Sequence, residues 1–337
     1  MSNKSFIEKL GEMPYYSLVP KLIDNALRLG IFEELKEAST SEELAKKKGW
    51  HEDNTEFFLQ SLYSLDYIEK VGNGYKNTED VNRYLVKDSK EYAGTFLLFY
   101  GQNLGGVFPD DFSDLLKNGP PSMEDLMKEN MNMDFASIEK MMRLHQDGLV
   151  FVEVKELLEE IPEFKSAKKI LDIGCGVGMI GLNMAELNKE AEIVLFDMPQ
   201  MKDAIERSIE IKDMGERANI LLGDFNKDSI GSGYDFIYSS NSVYAAKDNI
   251  DEFMTKIYEA LNPGGVFFCI CGSVEEDHSG PWDVVLSWMV YRMKGMDMET
   301  PKNMVKDAGL KVGFELIRKE SRQLLEGNQD IDILKKP

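Results

Sequence analysis

Two carboxylates in the second half of the chain each close an apolar run: Asp197 follows Ile193-Val-Leu-Phe, and Asp224 follows Ile220-Leu-Leu-Gly. Upstream of them, Lys169-Ile-Leu-Asp-Ile173 is a short apolar strand. A carboxylate at the end of a buried strand accepts hydrogen bonds from a polar ligand without needing a long side chain to reach it. Directly after Asp172-Ile173 comes Gly174-Cys175-Gly176-Val177-Gly178. These glycines let the backbone turn sharply and approach a ligand closely, and the helix that follows offers N–H groups at its start. Gly176, Gly178 and Gly181 also satisfy the G-x-G-x-x-G of a nicotinamide or flavin site, while the bland alternative is a tight strand-to-helix turn with no ligand. Asp197, 25 residues after Asp172, suits the two hydroxyls of a ribose. Asp224 beside Phe225 suits an adenine, the carboxylate accepting from the amino group and the ring packing on the base. Other reactive groups are few: His51, His145 and His278, and Cys175, Cys269 and Cys271 with no C-x-x-C. No metal site is expected from them.

The elements that must position these residues alternate between strand and helix. Strands are expected at 169–173, 193–196, 220–222, 234–238 and 266–271, which gives a parallel sheet with ligands at the strand C-termini. The first hundred residues read differently. Pro20 and the spacing of Leu22, Ile23, Ala26 and Leu27 predict a helix closing at Gly30. Thr40-Ser41-Glu42-Glu43 is a capping box. A helix through Phe57, Phe58 and Leu62 leads to a hairpin turning at Gly72-Asn73-Gly74, which makes a winged helix. Residues 103–121 read as a loop and 135–160 as helical. The expected domains are 1–100, winged-helix-like and dimerising; 101–154, linking helices that contribute to a substrate pocket; and 155–337, nucleotide-binding.

Charge narrows the partners. Asp and Glu number 60 against 39 Lys and Arg, a net charge of -21, which repels phosphate backbones and anionic lipid. Between residues 41 and 70 there are seven acidic and four basic side chains, where a DNA reader needs a basic face. No nucleic acid and no membrane are expected as partners. The N-terminus lacks the layout of a signal peptide, no run is apolar enough for a membrane span, and three cysteines in so long a chain fit a reducing cytoplasm.

The order Asp172-Ile-Gly-Cys-Gly-Val-Gly178, Asp197, Gly223-Asp-Phe225, Leu261-Asn-Pro-Gly-Gly265 resembles class I S-adenosylmethionine-dependent methyltransferases, α/β proteins with a Rossmann-like sheet. Ala26-Leu-Arg-Leu-Gly-Ile-Phe32, Ser41-Glu-Glu-Leu-Ala45 and Gly74-Tyr-Lys-Asn-Thr78 are similar to the dimerisation domain of the small-molecule O-methyltransferase family that includes caffeic acid and hydroxyindole methyltransferases. The resemblance covers nearly the whole chain. It implies a homodimer, S-adenosyl-L-methionine as cofactor and a small-molecule acceptor. It also implies that Gly174 and Gly176 lie against the methionine part, that Asp197 holds the ribose with Met198 beside it, and that Asp224 and Phe225 hold the adenine.

One motif departs from the family. Its members carry a Lys near the cofactor four residues before a catalytic His, and here those positions are Ser240 and Tyr244. Tyrosine, with an ordinary pKa near about 10, is a poor base at neutral pH, yet its hydroxyl can donate a hydrogen bond or orient a substrate. A Tyr here resembles the branch with the bacteriochlorophyllide C-methyltransferase, so a carbon acceptor stands beside oxygen and thiol. His145, on the preceding helix, is the other catalytic candidate, with a satisfied core histidine as the bland reading. His278 in Glu275-Glu-Asp-His278 reads as solvated. A second hypothesis is a protein of this fold that binds the cofactor without transferring its methyl, as a regulator or a diverged enzyme.

Overall fold

The computed structural model describes residues 5–98, 109, 111–122, 124 and 135–337. The chain divides into two compact units, 1–106 and 107–337.

In the first unit, helix α1 (Phe6–Tyr16) is followed by α2 (Leu18–Leu29), α3 (Ile31–Glu34), α4 (Ser41–Lys48) and α5 (Glu52–Ser64). Strands β1 (Ile68–Val71) and β2 (Gly74–Asn77) form an antiparallel hairpin, and α6 (Glu79–Tyr84) follows. Helix α2 ends at Gly30 in the left-handed conformation. The Thr40 hydroxyl accepts from Glu43 N–H while the Glu43 carboxylate accepts from Thr40 N–H, so the capping box is formed. Leu27, Phe32, Leu35, Leu59, Leu62, Ile68 and Tyr75 make the core. Helix α1 contributes no buried residue to it.

The second unit opens with α7 (Ser113–Asn118), inside the stretch read as a loop, the remainder of which lies partly outside the described residues. The stretch read as helical forms two helices, α8 (Phe135–Asp147) and α9 (Leu149–Glu159), separated by Gly148. The described part of the expected 101–154 linker thus sits in this unit. Then come β3 (Lys169–Ile173), α10 (Met179–Leu187), β4 (Glu192–Asp197), α11 (Lys202–Lys212), β5 (Ala218–Leu222), β6 (Tyr234–Ser240), α12 (Ile250–Ala260) and β7 (Leu261–Cys271). After α13 (Trp282–Met293) and α14 (Met304–Val312), strands β8 (Glu315–Leu324) and β9 (Gly327–Lys335) end the chain.

Seven strands form one sheet in the order β8-β9-β7-β6-β3-β4-β5. From β7 to β5 the pairs are parallel, as the alternation of strand and helix requires. Beyond those five strands, one edge of the sheet was not foreseen. A Glu326-Gly327 turn, with Gly327 at φ 102, folds β8 back on β9, and β9 pairs antiparallel with β7. A hairpin needs no crossover helix, so strand-helix alternation carried no sign of it. Both faces of the sheet are covered, one with α9, α10 and α11, the other with α12 and α14. No helix among the described residues is long and apolar enough to cross a membrane.

Candidate functional site

The chain after β3 runs out to β4 on one side, and later returns to β6 on the other. Parallel sheets bind ligands at such a reversal, beyond the strand C-termini. Here a cavity of about 240 Å³ opens there, lined by Gly174, Phe196, Asp197, Met198, Gly223, Asp224, Phe225, Asn226, Asn241, Ser242, Tyr244 and Ala245. Of the residues singled out in the sequence, it gathers Gly174, Asp197, Met198, Asp224, Phe225 and Tyr244. Gly176, Ser240 and His145 are not in that lining.

Backbone geometry builds the floor. Gly174 has φ +74, and a Cβ there would lie 2.5 Å from the Ser242 Cβ, so only glycine fits. Its N–H and that of Cys175 both donate to the Phe196 carbonyl, at 2.9 and 3.1 Å, tying the loop to the end of β4. Gly176 acts through its N–H, which donates 2.7 Å to Oδ2 of Asp197. Met198 N–H donates 2.7 Å to Oδ1 of the same carboxylate. Burial nevertheless holds Asp197 above the usual carboxylate range, the two N–H donors opposing it. Each oxygen keeps a second lone pair for a ligand hydroxyl.

The helix start offers less than its sequence suggests. The Met179 N–H already donates 3.1 Å to Oε1 of Gln146, and a Cβ on Gly176 would meet Gln146 Nε2 at 3.3 Å and Met142 Cε at 3.4 Å. Helix α8 therefore lies over the glycine loop. Beneath the loop, burial pushes Asp172 up to about 7, with the Gly181 N–H opposing and the Asp197 charge adding to the rise.

At the other end, the Asp224 carboxylate is held below its usual range, first by a hydrogen bond from Lys227 and then by the Asn226 N–H. Phe225 packs against Phe196 and Phe253, with ring centroids 6.5 and 5.2 Å away. Asn226 donates 2.8 Å to the Ala245 carbonyl, while its Oδ1 is buried without a hydrogen-bond partner. A buried carbonyl oxygen with no donor marks the place of a missing hydrogen-bond partner, and beside an aromatic face an exocyclic amino group meets that need.

Ser240 ends β6 on the same side of the strand as Phe236 and Tyr238, so its two successors, Asn241 and Ser242, line the cavity instead. Tyr244 lies in the following helical turn, and burial, with the Asp197 charge, raises its phenol above its ordinary value. His145 bonds Glu326, its Nε2 2.8 Å from Oε1. His278 is exposed, as expected, and also bonds the buried Glu299 at 3.0 Å. Asn226, Asn241, Ser242 and Gln146 were not foreseen. Position just past a strand end could have flagged Asn241 and Ser242, whereas nothing in the sequence marks Gln146.

Residues 164–307 match the family model described as a methyltransferase domain. An uncharacterised protein of Methanocaldococcus jannaschii is 33% identical over 255 residues, which cover 73% of this chain and 64% of that protein, just under two thirds of its length. Acetylserotonin O-methyltransferase of Gallus gallus is 23% identical, over 80% of this chain and 81% of its own. The solved structure of human N-acetylserotonin methyltransferase in complex with SAM superposes with a TM-score of 0.69 at 19% identity, covering 99% of both chains.

Proposed function

We propose that the chain is an S-adenosylmethionine-dependent methyltransferase of the O-methyltransferase type, and that it moves the methyl group of S-adenosyl-L-methionine onto a small-molecule acceptor through the cavity at the ends of β3 to β6. One observation carries the reading: ribose-type, adenine-type and glycine-loop features converge on a single cavity of about 240 Å³. The residues present fit the cofactor, because the orphaned Asn226 Oδ1 lacks the donor that an adenine amino group supplies. When bound, the cofactor supplies an electrophilic methyl carbon on a positively charged sulfur.

The chain's own residues do the rest. Gly174 admits the methionine part, Gly176 holds Asp197 through its N–H, Asp197 accepts from the ribose hydroxyls with Met198 beside it, and Phe225 packs on the adenine near Asp224 and Asn226. These residues would hold the cofactor with its methyl carbon in line with the acceptor's lone pair, so alignment is their main catalytic contribution. The proton lost by an oxygen or sulfur acceptor needs a base. Tyr244, raised above its ordinary pKa, stays protonated near neutrality and orients the acceptor as a hydrogen-bond donor. His145, backed by a carboxylate, is the candidate for the proton. Ser240 takes no part in the cavity wall. The exposed apolar side chains of α1 support a homodimer through residues 1–100. The acidic surface speaks against nucleic acid, and three free, buried cysteines fit a reducing cytoplasm.

Incubation with S-adenosylmethionine labelled in the methyl group and a panel of phenols, thiols and porphyrins tests this. Label transferred to a panel member supports it and separates oxygen, sulfur and carbon acceptors. Cofactor binding without any transfer would favour the regulator or diverged enzyme, and no cofactor binding would remove the assignment of the cavity.

A further inference from the structure

Glu326, in the turn between β8 and β9, spends its two carboxylate oxygens on different elements. Oε1 meets His145 Nε2 on α8 at 2.8 Å, and Oε2 accepts from Asn241 Nδ2 at 3.0 Å. Neither side chain of the first pair is free to wander, the imidazole being 9% and the carboxylate 20% exposed. Asn241 follows β6 directly, has φ 47 and lines the cavity. The left-handed region is uncommon for residues other than glycine, and asparagine enters it where local hydrogen bonds fix the turn. Two bonds do so here: the one to Glu326, and Gly272 N–H donating 3.3 Å to Asn241 Oδ1.

The turn that carries Glu326 is anchored in its own right. Leu325 N–H donates to both oxygens of Glu153 on α9, at 2.9 and 3.2 Å. Asn328 N–H donates 2.8 Å to Asp283 on α13. One residue along from His145, Gln146 accepts from Met179 N–H. A rigid turn thus joins the helix lying over the glycine loop to the residue that begins the opposite wall of the cavity.

We propose that Glu326 is a positioning residue for methyl transfer, one carboxylate that both fixes the tautomer of His145 and holds Asn241 in its left-handed turn. The inference rests on the function proposed above. An ionised carboxylate can only accept, so His145 carries a proton on Nε2, and in the neutral ring the lone pair lies on Nδ1. Losing a hydrogen bond to a charged group typically costs about tenfold or more in what that bond holds in place.

The test uses the full chain with ¹⁵N-labelled histidine, wild type against Glu326→Gln and Glu326→Ala, with His145→Gln assigning the signal among the three histidines. Long-range ¹H–¹⁵N spectra at a pH where the ring is neutral read the tautomer, and calorimetry with S-adenosylhomocysteine reads the cavity. Wild type should show the proton on Nε2. In Glu326→Gln the amide oxygen still accepts from Asn241 while the amide nitrogen donates towards His145, so the proton moves to Nδ1 and affinity stays within about twofold. Glu326→Ala releases both partners and weakens S-adenosylhomocysteine about tenfold. An Nδ1 proton in wild type, an unmoved proton in Glu326→Gln, or undiminished affinity in Glu326→Ala would each overturn the proposal. Should Glu326→Ala not fold, the Glu326→Gln tautomer decides. A wild-type protein that does not bind S-adenosylhomocysteine would instead strike the functional reading, leaving the tautomer to judge the Glu326–His145 pair.

Discussion

In the first unit, α1 turns Phe6 and Ile7 to solvent at 75% and 73% exposure, together with Met13, Tyr15 and Tyr16. In the second, Phe236, Ile237, Phe267 and Phe268 in the middle strands are fully buried. The second unit supplies its own cover, helices on both faces of its sheet, and places its polar groups at the strand ends where a ligand can complete them. The first has a finished core around Phe32 and Leu62 and an apolar helix left over. Fold completeness and surface completeness therefore fall differently: one unit leaves polar groups open at its strand ends, the other leaves apolar side chains exposed.

The largest test breaks the first half of that contrast. A side chain of this size is worth roughly 1.5–3 kcal/mol when fully buried, so several on one helix can hold a dimer. Full-length protein should sediment as a dimer, and the double substitution Phe6→Asp with Ile7→Asp should shift it to monomer without loss of its helical circular dichroism. A wild-type monomer at all concentrations would remove the dimer proposal.

The next test sharpens the second half, through Asp172. Its carboxyl is raised by burial from an ordinary 3.8 to about 7. A raised acid is the reverse of a salt-bridged one. Below the unfolded value both states are protonated and nothing is lost. As pH rises from there to about 7 the unfolded state gives up this proton while the buried group keeps it, and stability falls by on the order of 4 kcal/mol at most. Asp172→Asn should therefore melt higher than wild type at about pH 8, with the gap narrowing towards about pH 5.5. An equal gap at both would mean that burial does not govern this group.

Smaller again, Asp197→Ala should weaken S-adenosylmethionine by about 1–3 kcal/mol, the usual loss for hydrogen bonds to a charged group. It also frees the Gly176 and Met198 N–H groups that the carboxylate accepts from. Unchanged affinity by calorimetry would count against the ribose role. Tyr244→Phe belongs beside it: as a protonated donor its loss should slow turnover about tenfold, worth roughly 1.4 kcal/mol. A base would cost about 10²–10⁴-fold, so a loss of that size would overturn the donor role.

Legibility followed locality. Capping boxes, glycine stops and strand-end aspartates are decided by neighbours in sequence, so the Thr40 cap, the Gly30 stop and the convergence of Gly174, Asp197 and Phe225 could be read directly. Asn226 and Asn241 matter because strands distant in sequence bring them together, and Glu326 because a hairpin returns it to α8, 181 positions from His145. The edge hairpin β8–β9 was invisible for the same reason. Its burial pattern depends on pairing with β7, which its own residues do not announce.

The smallest expected effect asks whether the two units are energetically separate. Thr40 caps α4, its hydroxyl accepting 3.2 Å from Glu43 N–H while Glu43 returns a 2.9 Å bond to the Thr40 N–H. Thr40→Ala removes the first bond and leaves Glu43 to hold the second alone, a change worth about 1 kcal/mol in a helix start of this type. Leu44 and Ala45, buried from α4, transmit that loss to the first unit's core. The cavity residues all lie in the second unit, so S-adenosylhomocysteine affinity should not move. Hydrogen exchange followed by mass spectrometry should show faster opening across residues 41–64, with residues 169–271 unchanged. Faster exchange in both would show that the units unfold together and that the contrast between them is one of surface alone.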